Sequence, residues 1–93
     1  MRLADVEFST RGTTLVARCS GEIDISNADQ LAGFLTDSTS NHMHTLVLDL
    51  ARIDYLDSAG IRLIYRLQES LRQRGQALRL VIPDESPVRY APA

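Results

Sequence analysis

The chain has 93 residues, 44% hydrophobic and 24% charged, with a net charge of −2. That length fits one domain with a thin core, the composition excludes a disordered chain, and no apolar run approaches the ~20 residues of a transmembrane helix. All ten cations are arginines, spread along the chain, which excludes the clustered basic face that non-specific nucleic-acid binding requires, and the single Cys19 excludes an intramolecular disulfide or a multi-cysteine metal site.

Val6-Glu7-Phe8-Ser9-Thr10 alternates apolar and polar and predicts a half-buried strand. Arg11-Gly12 follows as a tight turn. Leu15-Val16-Ala17-Arg18-Cys19 is the returning strand of a β-hairpin, ended by Gly21, with Glu22-Ile23-Asp24 leading out. Ser26 reads as a helix N-cap, with Asp29 as an imperfect capping box. Ala28, Leu31, Ala32 and Leu35 make one apolar helical face. This helix fades from Thr36, and Ser38 to His44 is a loop. Leu46-Val47-Leu48-Asp49-Leu50 is nearly continuous and apolar, which suits a strand covered on both faces. A second helix runs from about Ser58 to Arg74, with the stripe Leu63, Ile64, Leu67 and Leu71. Gly75 ends it. Leu78 to Ile82 is a fourth strand. Ser86-Pro87 has the form of a third helix start, as N-cap and N1, although Pro92 leaves little room for it. The order β-β-α-β-α-β predicts a small mixed α/β sheet, an antiparallel hairpin followed by parallel strands with right-handed crossovers and helices packed on it.

The richest stretch chemically is Asp54-Tyr55-Leu56-Asp57-Ser58-Ala59-Gly60, which follows the buried strand and opens the second helix. Crevices at the C-terminal ends of parallel strands are where such folds place ligands and partners. Two readings are open for Asp57-Ser58. It is an ordinary helix cap, the default use of these residues at such a position. Alternatively Ser58 accepts a phosphate, where the helix dipole and free N–H groups favour the added −1.5 to −2 charges. Other candidates have bland readings. His42 and His44 lack a third metal ligand beside them and lie roughly 20 Å of strand away from Ser58, too far to serve it as a base. Cys19 alternates with Leu15 and Ala17 and reads as a buried, inert thiol. No glycine-rich phosphate loop is present, so no nucleotide cofactor is expected.

The chain resembles a STAS domain, and within that family a stand-alone anti-sigma factor antagonist. The matching pieces are Gly21-Glu22-Ile23-Asp24, Leu46 to Leu50, Asp57-Ser58-Ala59-Gly60-Ile61 and Leu80-Val81. The resemblance implies that Ser58 is the phosphoacceptor. It implies that Asp24 is an acidic residue near it on the partner-binding face, with Asp57, Ala59, Gly60 and Ile61 as neighbours of the phosphosite. Many relatives carry a second Ser where this chain has Ala59. The implied partners are an anti-sigma factor serine kinase and a metal-dependent serine phosphatase. Such a protein is a cytoplasmic substrate and switch, not an enzyme, and needs no cofactor. The start Met1-Arg2-Leu3-Ala4-Asp5 has no apolar run of a secretory leader, in keeping with that location. Some small STAS proteins instead resemble regulatory subunits that dock on the ATPase of lipid-transporting ABC systems. These often lack a phosphorylatable Ser, so the intact Asp57-Ser58 favours partner switching. The family normally continues through a third helix, a fifth strand and often a fourth helix. Residues 1–93 then form a single STAS-like domain without its usual last elements, and homodimerisation through that uncovered region is expected.

Overall fold

The computed structural model describes residues 4–82. Strand β1 (Asp5–Arg11) and strand β2 (Thr14–Ile23) form the antiparallel hairpin. Gly12 takes φ +57 in the two-residue connection, the left-handed geometry that a tight hairpin turn asks of its first central residue. Helix α1 (Ala28–Ser38), strand β3 (Thr45–Leu56), helix α2 (Ser58–Gln73) and strand β4 (Ala77–Val81) follow. The sheet order is β1-β2-β3-β4, with β2, β3 and β4 mutually parallel. This is the mixed architecture that the pattern predicts. The expected helix start at Ser86-Pro87, and any uncovered region beyond it, lie outside the described residues.

Three local expectations are corrected. Gly21 does not end its strand. It sits inside β2 at φ +98, where the register against β3 shifts, a further shift falling between Arg18 and Ser20. A glycine within a strand often marks a bulge, and past these irregularities pairing resumes, Glu22 with Tyr55 and Ile23 with Leu56. For the same reason β3 is longer than its apolar run and carries Asp54, Tyr55 and Leu56 up to the start of α2.

The second correction concerns coverage. Leu46, Leu48 and Leu50 of β3 are fully buried, but Val47 and Asp49 are only half-buried. Successive right-handed crossovers that step the same way across a sheet lay their helices on the same face. Both helices therefore cover one face, where Leu31, Leu35, Leu63, Leu67 and Leu71 pack with Leu15, Ala17 and Cys19. Ile64, expected on the α2 stripe, is half-buried at its margin. The other face carries the aligned row Glu7, Arg18 and Asp49, with Arg18 Nε 3.7 Å from Asp49 Oδ2.

The third correction is at the start of α1. The N-cap is Asn27, not Ser26. Ser26 instead donates its N–H and its hydroxyl to Asp24 Oδ1, and Asp29 pairs with Arg66 of α2. The turn is pulled tight because Asp24 O accepts from both Asn27 N–H (3.1 Å) and Ala28 N–H (2.9 Å). Among the described residues, no helix is long and apolar enough to cross a membrane.

Candidate functional site

The candidate site is built where β2 and β3 finish side by side and α2 begins. Asp57 N–H donates to Ile23 O at 3.3 Å, tying the exit of β3 to the exit of β2. The Asp57 carboxylate then caps α2, Oδ1 accepting from Ala59 N–H (2.8 Å) and Gly60 N–H (3.3 Å), and its carbonyl accepts from Ile61 N–H (3.1 Å). The carboxylate thus takes up two of the main-chain donors that a helix start leaves unsatisfied, and the carbonyl accepts the first intrahelical bond.

Ser58 is the first helical residue and is exposed. The two residues after it face inward: Ala59 and Gly60 are buried, and Ile61 is half-buried. Gly60 has a steric role. A Cβ added there would lie 2.6 Å from Leu56 Cγ and 3.3 Å from Ile23 Cγ2, so only glycine lets the first turn of α2 settle on these two strand ends. Ala59 and Gly60 therefore set the position of Ser58 and present no side chain to a partner. Asp57 is half-buried and held in its cap. The free N–H groups expected for an anion are hence already engaged. A phosphate on Ser58 meets a helix start whose Ala59 and Gly60 donors belong to Asp57.

Asp24 lies at the mouth of the same end, in the turn after β2. Its carboxyl is held below its ordinary value of 3.8, first by the Ser26 hydroxyl and then by the Ser26 main chain, against an opposing desolvation, with the Asn27 main chain adding least. Asp24 N–H in turn donates to Asn27 Oδ1 (3.0 Å), and Asn27 Nδ2 to Glu22 O (2.8 Å). Asp24 thus serves the turn itself. Beside the turn is a cleft of about 410 Å³ that sequence reasoning missed, lined by Asp5, Glu22, Asp24 and Asp54 with Ser20, Gly21, Ser26, Asn27 and Ala4. The acids were visible one by one. Their convergence depends on the bulged pairing of β2 with β3, which no periodicity reveals. Ser58 is not among the lining residues. Ile25, 78% exposed at the tip of the turn, was missed as well; alternation with Ile23 reads as a continued strand and hides it.

The remaining candidates fall away from this end. His42 and His44 lie before β3 and Ser58 after it, at opposite ends of a 12-residue strand. Among the described residues, no cluster of three or more His, Cys, Asp or Glu suits a metal ion. Cys19 is buried, and burial, reinforced by the Asp49 charge, pushes its thiol up to about 12. Such a thiol is inert.

A four-stranded mixed sheet, two helices on one face and a serine heading the helix at the strand exits define a small mixed α/β domain. The chain belongs to the STAS domain family, whose profile matches residues 5–91. A Bordetella bronchiseptica protein named as a candidate anti-sigma factor antagonist, BtrV, is 37% identical over 59 residues, 63% of this chain and 51% of that one. The match thus spans about half of that relative's length. Among solved structures, Mglu is similar at TM-score 0.73 and 28% identity over 86% of this chain, which is only 20% of the longer Mglu chain. The anti-sigma factor antagonist SpoIIAA, solved in its unphosphorylated form, is similar at TM-score 0.65 and 21% identity, covering 91% of this chain and 76% of SpoIIAA.

Proposed function

We propose that this domain is an anti-sigma factor antagonist worked by partner switching. Unphosphorylated, it docks through the α2 start and the β2–α1 turn on a serine kinase that also holds a sigma factor, and docking frees the sigma factor. The kinase then transfers the γ-phosphoryl group of its ATP to Ser58 Oγ. The P–O bond to ADP breaks as the P–O bond to serine forms, and the hydroxyl proton leaves to a base of the kinase. The chain is the substrate and supplies no catalytic group.

The observation that carries this reading is the presentation of Ser58. Its hydroxyl is exposed on a helix start that Asp57 caps and Gly60 packs, so a kinase can reach it without unfolding the domain. The name of BtrV points the same way. Asp57 also explains why phosphorylation would switch the domain off. With the Ala59 and Gly60 donors engaged, the new phosphate is not absorbed into the helix start and adds its charge beside the Asp57 carboxylate. In an interface that charge must be desolvated without a counter-ion, which opposes binding. A loss of ~3–4 kcal/mol lowers affinity by roughly 10²- to 10³-fold. A serine phosphatase would reset the switch.

The test is to incubate the chain with its anti-sigma kinase and ATP and to locate the phosphate by mass spectrometry. Phosphate on Ser58, weak binding of Ser58→Asp and persistent binding of Ser58→Ala are the expected results. Phosphate elsewhere, or wild-type affinity in Ser58→Asp, refutes the reading.

A further inference from the structure

Ile25 stands out among the exposed apolar side chains. It is 78% exposed, more than Tyr65, Tyr55 or Phe34, and Phe34 at least stacks on Phe8 with ring centroids 5.7 Å apart. Ile25 also sits on an unusually stiff support. Its two neighbours are joined by the Ser26 N–H and hydroxyl donating to Asp24 Oδ1. Asp24 O accepts from Asn27 and Ala28, Asp24 N–H donates to Asn27 Oδ1, and Asn27 Nδ2 anchors the turn to Glu22 O. A β-branched side chain is itself restricted at χ1. Burying a pre-ordered group loses little conformational entropy, so most of its transfer free energy is realised as affinity. The bonds that form the turn thus also hold the backbone that carries Ile25.

Place and charge narrow the partner. Ile23, two residues earlier, accepts the Asp57 N–H, so Ile25 projects from the same end of the sheet as Ser58. The adjoining cleft counts Asp5, Glu22, Asp24 and Asp54 among its lining residues and no cation. A cleft that shares Asp5 and Ser20 with it carries Arg18 and Arg52 but also Glu7. A complementary surface therefore offers an apolar socket with arginine or lysine on the side that faces the cleft.

We propose that Ile25 is the apolar anchor by which this domain docks on the serine kinase that phosphorylates Ser58, entering a socket bordered by cations. This rests on the partner-switching reading above and divides its labour: Ile25 and the acidic cleft hold the kinase, and Ser58 receives the phosphoryl group. Ile25 is a specificity-determining residue that touches no reacting atom.

The experiment measures the dissociation constant of the purified anti-sigma kinase, loaded with ADP, for wild type, Ile25→Ser, Ile25→Leu and Ser58→Ala. It also follows the rate of Ser58 phosphorylation against substrate concentration. Ile25→Ser is expected to weaken binding roughly ten- to a hundredfold, the value of one fully buried isoleucine. KM should rise with kcat retained, and lowering salt should tighten the binding of wild type and Ile25→Ser by a similar factor, because the cleft's attraction is separate from the apolar contact. Ile25→Leu should bind nearly as wild type. Unfolding midpoints should be unchanged, because Ile25 lies outside the core. Wild-type affinity in Ile25→Ser, or a fall in kcat alone, overturns the anchor. Binding that depends on Ile25 without phosphate on Ser58 upholds the anchor for docking and overturns the phosphorylation switch. Failure of the wild-type chain to bind the kinase overturns both.

Discussion

Two helical glycines in this chain should respond to the same substitution with opposite signs. Gly33 lies in the middle of α1, exposed, with nothing within 4 Å of an added Cβ. Replacing it with alanine restricts the unfolded chain and improves helix propensity, which should stabilise the domain by about 0.5–1 kcal/mol. Gly60 lies in the first turn of α2, where the same Cβ meets Leu56 Cγ at 2.6 Å and Ile23 Cγ2 at 3.3 Å. Cγ is the branch point of leucine, so relief requires the whole Leu56 side chain to leave its position. Overpacking of this kind costs about 1–3 kcal/mol, and the helix-propensity gain offsets a part, leaving a net loss of ~1–2 kcal/mol. Against a total stability of roughly 5–10 kcal/mol for a domain of this size, that is a large fraction. With a urea m-value of about 1 kcal/mol/M, the midpoint of Gly60→Ala should fall by ~1–2 M while that of Gly33→Ala rises by ~0.5–1 M. Adding Leu56→Ala should then cost less in the Gly60→Ala background than in wild type, because it removes the clash. Equal and positive shifts at both glycines, or strict additivity of Gly60→Ala with Leu56→Ala, would refute the packing argument.

Asp57→Ala should lower stability by about 0.5–2 kcal/mol through loss of the α2 cap, and Asp57→Asn by less; thermal melts of the unphosphorylated chain would show it. The Cys19 thiol, raised to about 12, stays protonated in the folded state while the unfolded thiol ionises near 9.0. Its contribution is therefore complete below pH 9 and declines from there toward pH 12, at up to about 1.4 kcal/mol per pH unit. Cys19→Ala should flatten that alkaline limb in urea titrations, and the native thiol should resist alkylation at pH 8. Asp24 has the opposite sign. Its carboxyl lies below 3.8, so the charged turn is complete above that value and loosens as pH falls through the lowered one. In an NMR titration, Ser26→Ala should move the Asp24 midpoint upward, since the Ser26 hydroxyl is its largest support.

Much of this fold was legible in the residues alone. Alternation in Val6 to Thr10 and Leu15 to Cys19, apolar spacing in both helices and Gly75 at the end of α2 are local signals, and local signals survive folding. Ser58 was legible for the same reason, since an Asp-Ser pair before an apolar helical stripe declares a helix start whatever surrounds it. What was misread depended on partners distant in the chain. Ser26 has the chemistry of an N-cap, yet it bonds to Asp24 because Asn27 is drawn back toward Glu22 at the end of β2. Gly21 has the chemistry of a strand end, yet pairing with β3 carries the strand past it as a bulge.

The sequence by itself thus determined the order of elements, their apolar faces and the residue that heads α2. These follow from backbone sterics and from periods of two and 3.6, which each segment carries in its own side chains. Only the tertiary structure decided that, among the described residues, both helices lie on one face of the sheet, that four acidic residues line one cleft, and that Gly60 must have no side chain. Each depends on where a crossover lands or on how two strand exits meet, and distances between segments far apart in the chain arise only when the chain closes on itself.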